Sequence, residues 1–100
     1  MKKAYEEVGF KVSENEPVAF QMVGASNGYK FKVDDELIEI YEYDMKNLNE
    51  DGKKYVEQAK KGQISILGFN VPVKLKNNLM LIRYDEHSKK DKILEVFNNY

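Results

Sequence analysis

The chain has no cysteine, no tryptophan and no threonine, and only one histidine and two prolines among its 100 residues. Each scarcity removes a class of chemistry. Without cysteine there are no disulfides, no thiolate metal sites and no thiol nucleophile. Without threonine, the aliphatic hydroxyls reduce to Ser13, Ser26, Ser65 and Ser88. Charge of one sign is lacking too: sixteen basic residues, of which Arg83 alone is arginine, interleave with seventeen carboxylates for a net charge of −1. Nucleic-acid binding is therefore not expected, because counterion release needs a concentrated positive face. No apolar run approaches the roughly 20 residues of a membrane span. The opening MKKAYEEVGF carries basic residues but no apolar core of a signal sequence. Membrane attachment is expected only through a leader outside this sequence.

What is present suits one folded domain. Hydrophobic residues make up 42% and aromatics 12%, enough for a core without metal or disulfide staples. Residues 1–28 read as an N-terminal helical segment: Ala4, Tyr5 and Val8 share helical spacing, and Val18–Ala25 fits either a short helix or a strand, with Ser13, Glu16 and Pro17 before it resembling a capping box that favours the helix. Residues 29–62 read as ββα. Tyr29, Phe31 and Val33 alternate with Lys30 and Lys32, and a turn near Asp35-Glu36 pairs Val33 with Ile38, Phe31 with Ile40 and Lys32 with Glu39. Asn47 and Glu50 then cap a helix whose buried stripe is Leu48, Tyr55, Val56 and Ala59, ended by Gly62. Residues 63–100 repeat the pattern. After a short β-prone run at Gln63–Leu67, Asn77-Asn78 turns a hairpin that pairs Leu75 with Met80 and Val73 with Ile82. Ser88 caps a last helix burying Ile93, Leu94, Phe97 and Tyr100.

Two strands ending in Tyr-Asp, IEIYEYD at Ile38–Asp44 and LMLIRYD at Leu79–Asp85, mark these halves. The expected fold is α+β: a two-layer sandwich with a ββαββα core, two hairpins forming a mostly antiparallel sheet and the helices packed on one face.

The stretch GFNVPVKLKNNLMLIRYDEHSKKDKILEVF resembles the C-terminal half of thioredoxin-like proteins, though no Cys-x-x-Cys accompanies it. That resemblance implies a cis proline and a ligand groove at Val71 and Pro72. VGASNGYKFKVDDELIEIYEYD, the Val-Pro strand and YDEHSKKDKILEVF are also similar, as a set, to small uncharacterised lipoprotein-type domains of Gram-positive bacteria. This second resemblance implies an extracytoplasmic, membrane-anchored setting, with a cytoplasmic one as the alternative, and brings no activity with it.

No catalytic constellation is legible. Asp85-Glu86-His87-Ser88 gathers an acid, a base and a hydroxyl, but adjacent residues rarely face one point, so it reads as a solvated turn with Ser88 as a cap. Asp34-Asp35-Glu36 lacks the ligand order of an EF-hand and reads as a charged turn; no metal or cofactor is expected. Gly24 and Gly28 make no nucleotide loop and read as a helix terminator and a turn. Asp44 and Asp85 are the acid pair that the repeat singles out, each more simply a helix-start carboxylate.

Tyrosines on strands are the one enriched functional side chain. With helices on one face, Tyr41 and Tyr43 would stand on the open face beside Glu39 and Lys32, a surface fit for a protein or glycan partner. The chain thus reads as a non-catalytic binding domain, monomeric or weakly dimeric. The alternatives are a small enzyme or thioredoxin-like ligand binder with its groove at Val71 and Pro72, and an assembly subunit pairing sheet edges.

Overall fold

A computed structural model describes residues 1–100 and has an α+β fold. In chain order the elements are α1 (Lys2–Glu7), β1 (Glu16–Pro17), a 3₁₀ turn (Phe20–Val23), β2 (Asn27–Val33), β3 (Glu36–Glu42), α2 (Glu50–Ala59), β4 (Gln63–Ile66), β5 (Phe69–Lys76), β6 (Leu79–Ile82), a second 3₁₀ turn (Tyr84–Glu86) and α3 (Lys90–Asn98). The strands form one sheet in the order β1-β2-β3-β6-β5-β4. Every neighbouring pair is antiparallel. The second half therefore contributes three strands rather than two, with β4 as the far edge.

Helices cover both faces of the sheet, which corrects the expected two-layer arrangement. On one face Phe31, Val33, Ile38, Ile40 and Leu81 pack against Tyr5 of α1 and Ile93, Val96 and Phe97 of α3. On the other, Tyr41, Tyr43, Val73, Met80 and Ile82 pack against Val56 and Ala59 of α2 and Val23 of the first 3₁₀ turn. Strand periodicity explains this. Successive side chains point to opposite faces, and β6 reads Leu79-Met80-Leu81-Ile82 without a polar residue, the mark of a strand covered on both sides. The chain leaves β3 through α2, which crosses the Tyr41/Tyr43 face to reach β4, whereas α3 follows the central β6 and folds back over the opposite face.

Hairpin registers follow turn chemistry. Asn77 takes a left-handed backbone (φ 55°), and Leu75 pairs with Met80 and Val73 with Ile82 as expected. In the β2–β3 hairpin the turn is Asp34-Asp35, both left-handed (φ 51° and 68°), so Phe31 pairs with Ile38 and Lys30, not Lys32, with Glu39. Two consecutive left-handed residues make the tight turn that suits strand twist. The two-residue slip keeps every side chain on its expected face, because the face alternates with a period of two.

The N-terminal segment is helical only in part. Past α1 the chain runs along the β2 edge: Val12 bridges Val33, Pro17 pairs with Tyr29, and the Ser13 hydroxyl accepts the Lys32 N–H at 2.8 Å instead of capping a helix. Proline is tolerated there because an edge strand need not donate outward. Val18–Ala25 makes only the 3₁₀ turn, closed by Gly24 at φ 66°. The α2 cap is Asn49, whose Oδ1 accepts the Gly52 N–H at 2.7 Å, while Asn47 turns back to the Asp44 carboxylate.

Candidate functional site

The two Tyr-Asp repeats diverge at one residue. Strand alternation from Leu81 would send Arg83 toward the α1/α3 face and Tyr84 toward the α2 face. Instead Arg83 adopts a left-handed backbone at φ 73°, which reverses both. Tyr84 drops into the cluster with α3. Arg83 swings to the α2 face, where its Nε lies 3.0 Å from Glu39 Oε2. A bulky residue with positive φ is uncommon and carries strain of about 1 kcal/mol, a pattern that concentrates at functional sites.

Around this arginine the α2 face stays partly open. Two hollows of about 360 and 370 Å³ adjoin there and share Glu39, Tyr41, Ile66 and Arg83. One wall is the Pro17–Val23 segment, contributing Val18 and Met22. The opposite wall is the β4–β5 hairpin, contributing Ile66, Val71 and Pro72. The floor is a fixed polar chain in which the Tyr41 hydroxyl donates to Glu39 Oε1 at 2.5 Å while Glu39 Oε2 faces Arg83. Burial pushes the Tyr41 phenol above its ordinary value, and the Glu39 carboxylate beside it adds to the shift. The phenol stays a donor, and the Glu39 carboxylate accepts from both neighbours.

The residues expected at a binding surface divide. Glu39 and Tyr41 form the floor, yet Tyr41 is buried and presents only part of its ring to the cleft. Tyr43 is not at the surface at all: α2 and the first 3₁₀ turn cover it, and its hydroxyl donates to the Val23 carbonyl at 2.8 Å. The expected open face failed there because α2 occupies it. Lys32 lies outside the cleft and lines a separate shallow hollow with Glu36 and His87, which adjoins the site at the shared Arg83 and Glu86. Val71 and Pro72 do flank the cleft, joined by a trans bond, so the cis geometry implied by the thioredoxin-like resemblance has no counterpart. Sequence reasoning missed Arg83, Lys30 and Ile66. The one available signal was that Arg83 is the only arginine in the chain.

Other candidates are structural. Asp44 accepts the Lys46 N–H at 3.2 Å and an Asn47 side-chain N–H at 3.1 Å, a local turn remote from Asp85. Asp34 and Glu36 clamp the β2–β3 turn onto the start of α3: Asp34 accepts from Lys89 Nζ (2.7 Å) and the Lys11 N–H (2.9 Å), and Glu36 accepts from the Ser88 hydroxyl and N–H. Those hydrogen bonds hold both carboxyls below the ordinary carboxylate range. Ser88 therefore does not cap α3, whose first turn lacks a side-chain cap. No three His, Asp or Glu side chains converge to hold a metal ion.

His87 corrects the expectation of a solvated turn. It is buried, 3% exposed. Nε2 donates to the Val33 carbonyl at 2.7 Å and Nδ1 accepts the Lys89 N–H at 3.0 Å, which defines the neutral Nε2–H tautomer. His87→Ala is expected to cost about 3 kcal/mol, since it strands two backbone groups and leaves a void. His87→Gln keeps the donor toward Val33 and should recover part of that loss. Chemical denaturation of the three proteins checks the order; an alanine variant as stable as wild type would show that the ring holds nothing.

Compared with protein-family models, curated proteins and solved structures, the chain matches none.

Proposed function

We propose that this chain is a non-catalytic interaction domain that binds a segment of a partner protein in the cleft above Glu39, Tyr41 and Arg83. The observation that carries this reading is apolar exposure on the two segments that wall that cleft. Leu67 is 83% exposed and Phe69 74%, at the tip of the β4–β5 hairpin, and Met22 on the facing wall is 53% exposed. Phe69 pairs with Ile66 across the hairpin and so shares its cleft-facing side. Exposed apolar patches mark protein-binding surfaces, and here they flank a centre whose two charges are already paired with each other.

Further support comes from side chains already engaged. The hydroxyls of Ser13, Ser26 and Ser88 donate to backbone or carboxylate oxygens, and both nitrogens of His87 are taken by backbone groups. None of these three hydroxyls is set against the histidine, whose two nitrogens are both occupied. Strand addition is disfavoured as the binding mode and as a route to assembly. β1 is two residues long and contains Pro17, and on β4 the outward Ser65 N–H is covered by Gln58 Oε1 at 2.8 Å.

Selection of a phage-displayed library of short random peptides on the immobilised chain tests this reading. Binders are expected, and Phe69→Ser should weaken them about tenfold with no loss of thermal stability, because an exposed anchor aids binding without aiding folding. Arg83→Gly should do the same while keeping the fold, since glycine favours the left-handed backbone. No enriched peptide, or binders indifferent to both substitutions, would refute the proposal.

A further inference from the structure

The cleft carries charge of opposite sign at its two ends. At the end toward the Pro17–Val23 wall stands Lys30, and at the end toward Pro72 stand Asp85 and Glu86 of the second 3₁₀ turn. None of these three takes part in the ion pairs of the protein. Between them lies the Glu39–Arg83 pair, its charges mutually offset, flanked by Ile66 and Val71. Lys30 sits directly across from Glu39 in the β2–β3 ladder, only as far from the pair as one strand spacing, yet Glu39 is turned to Arg83 and Tyr41.

We infer that the cleft recognises its partner segment by charge order: an acidic side chain at Lys30, an apolar one over Ile66 and Val71, and a basic one at Asp85 and Glu86. The inference rests on the cleft being the binding surface and adds the chemistry of its occupant. Three arguments favour this occupant over a uniformly acidic or basic one. The neutralised Glu39–Arg83 pair at the centre offers no net attraction, so an apolar residue there forfeits nothing. An all-acidic segment would meet Asp85 and Glu86 at one end, and an all-basic one would meet Lys30 at the other; like charges in apposition are what excludes a wrong partner. Arg83 is the hinge of the arrangement. Its left-handed backbone is what brings the second 3₁₀ turn, with Asp85 and Glu86, to the cleft mouth immediately after β6.

The same random-peptide library, selected on wild type, on Lys30→Gln and on the double variant Asp85→Asn/Glu86→Gln, reads this out. All three positions are at the surface or half-exposed, so the variants retain the fold. The wild-type pool is expected to place an acidic and a basic residue on either side of an apolar one. The Lys30→Gln pool should lose the acidic preference alone, and the double variant the basic preference alone. For one synthetic peptide from the wild-type pool, neutralising either charge should weaken binding about fivefold at low salt and much less at high salt. It should have no further effect where the matching protein charge is already gone. Cleft binders with apolar residues but no charge preference would overturn this inference and leave the interaction reading standing. A library that yields nothing, or binders unaffected by Phe69→Ser, would overturn both.

Discussion

Gly24→Ala is expected to destabilise the fold by about 4 kcal/mol, a large share of the 5–15 kcal/mol that holds a typical domain together. Two effects combine. Gly24 has φ 66°, where an alanine costs about 1 kcal/mol. The added methyl would also press onto the backbone of α2, within 2.6 Å of the Asp51 carbonyl carbon and the Gly52 Cα. Backbone cannot rotate away as a side-chain tip can, so overpacking here adds up to roughly 3 kcal/mol. Gly52 meets the same crossing from the other side, where a methyl would lie 2.8 Å from the Gly24 carbonyl oxygen. The first 3₁₀ turn and the start of α2 thus touch through two glycines, and that contact roofs Tyr43. Gly68→Ala is the control: φ is 84° but nothing lies within 4 Å, so only the conformational cost should appear. Urea unfolding midpoints of both variants measure the difference. Equal, small losses would mean that the crossing is looser than its geometry.

Much of this fold was legible where local chemistry and burial agree. The β5–β6 hairpin could be read to the residue because Asn77 suits a left-handed turn and Leu75, Met80, Val73 and Ile82 then all face one side. The β2–β3 hairpin was legible in its faces but not its register, since aspartates at 34 and 35 announce a turn without saying which two residues occupy it. Layering was misjudged for a physical reason. The repeat of ββα suggested equivalent helices, but sheet order decides which face a crossover covers, and pairing of β3 with β6 is a non-local event that no window of sequence reports. The unbroken apolar run of β6 was the available clue to burial on both faces.

The site was less legible than the fold. Glu39, Tyr41, Val71 and Pro72 were named on separate grounds, an open sheet face and a groove, and the chain brings them to one cleft. Arg83 unites them through a backbone conformation that arginine does not advertise. A glycine or asparagine there would have signalled a turn; an arginine reads as one more residue of a strand. His87 was likewise read as solvated because its surroundings in sequence are polar, whereas its partners, Val33 and Lys89, come from the β2 end and the α3 start.

Raising the pH above 10 is expected to unfold the chain cooperatively, before its buried phenols ionise. Burial pushes Tyr5, Tyr41 and Tyr43 well above the ordinary tyrosine value of 10.0, and Tyr29, half-buried and near Glu42 and Tyr100, rises to about 12. Geometry gives the same direction, because each of the three buried hydroxyls donates: Tyr5 to the Ile93 carbonyl, Tyr41 to Glu39 and Tyr43 to the Val23 carbonyl. A phenolate would face an acceptor with no proton to offer. A raised folded-state value leaves the stability whole below pH 10 and removes it as the pH climbs from there toward the raised values. Each such group removes at most about 1.4 kcal/mol per pH unit. Three together remove at most about 4 kcal/mol per unit, so the two units above pH 10 remove up to about 8 kcal/mol, enough to unfold a domain in the lower part of the 5–15 kcal/mol range. With no tryptophan in the chain, absorbance follows the tyrosines alone, the exposed Tyr100 among them. The part of the absorbance change that belongs to the buried phenols should come in one steep step together with the far-ultraviolet circular dichroism. Tyr43→Phe should shift that transition upward while lowering stability at neutral pH, where the Val23 carbonyl loses its donor. Ionisation of all seven tyrosines with the circular dichroism intact would mean that water reaches the buried phenols, and would undo the account of α2 and the first 3₁₀ turn as the cover over Tyr43 on which the shape of the cleft depends.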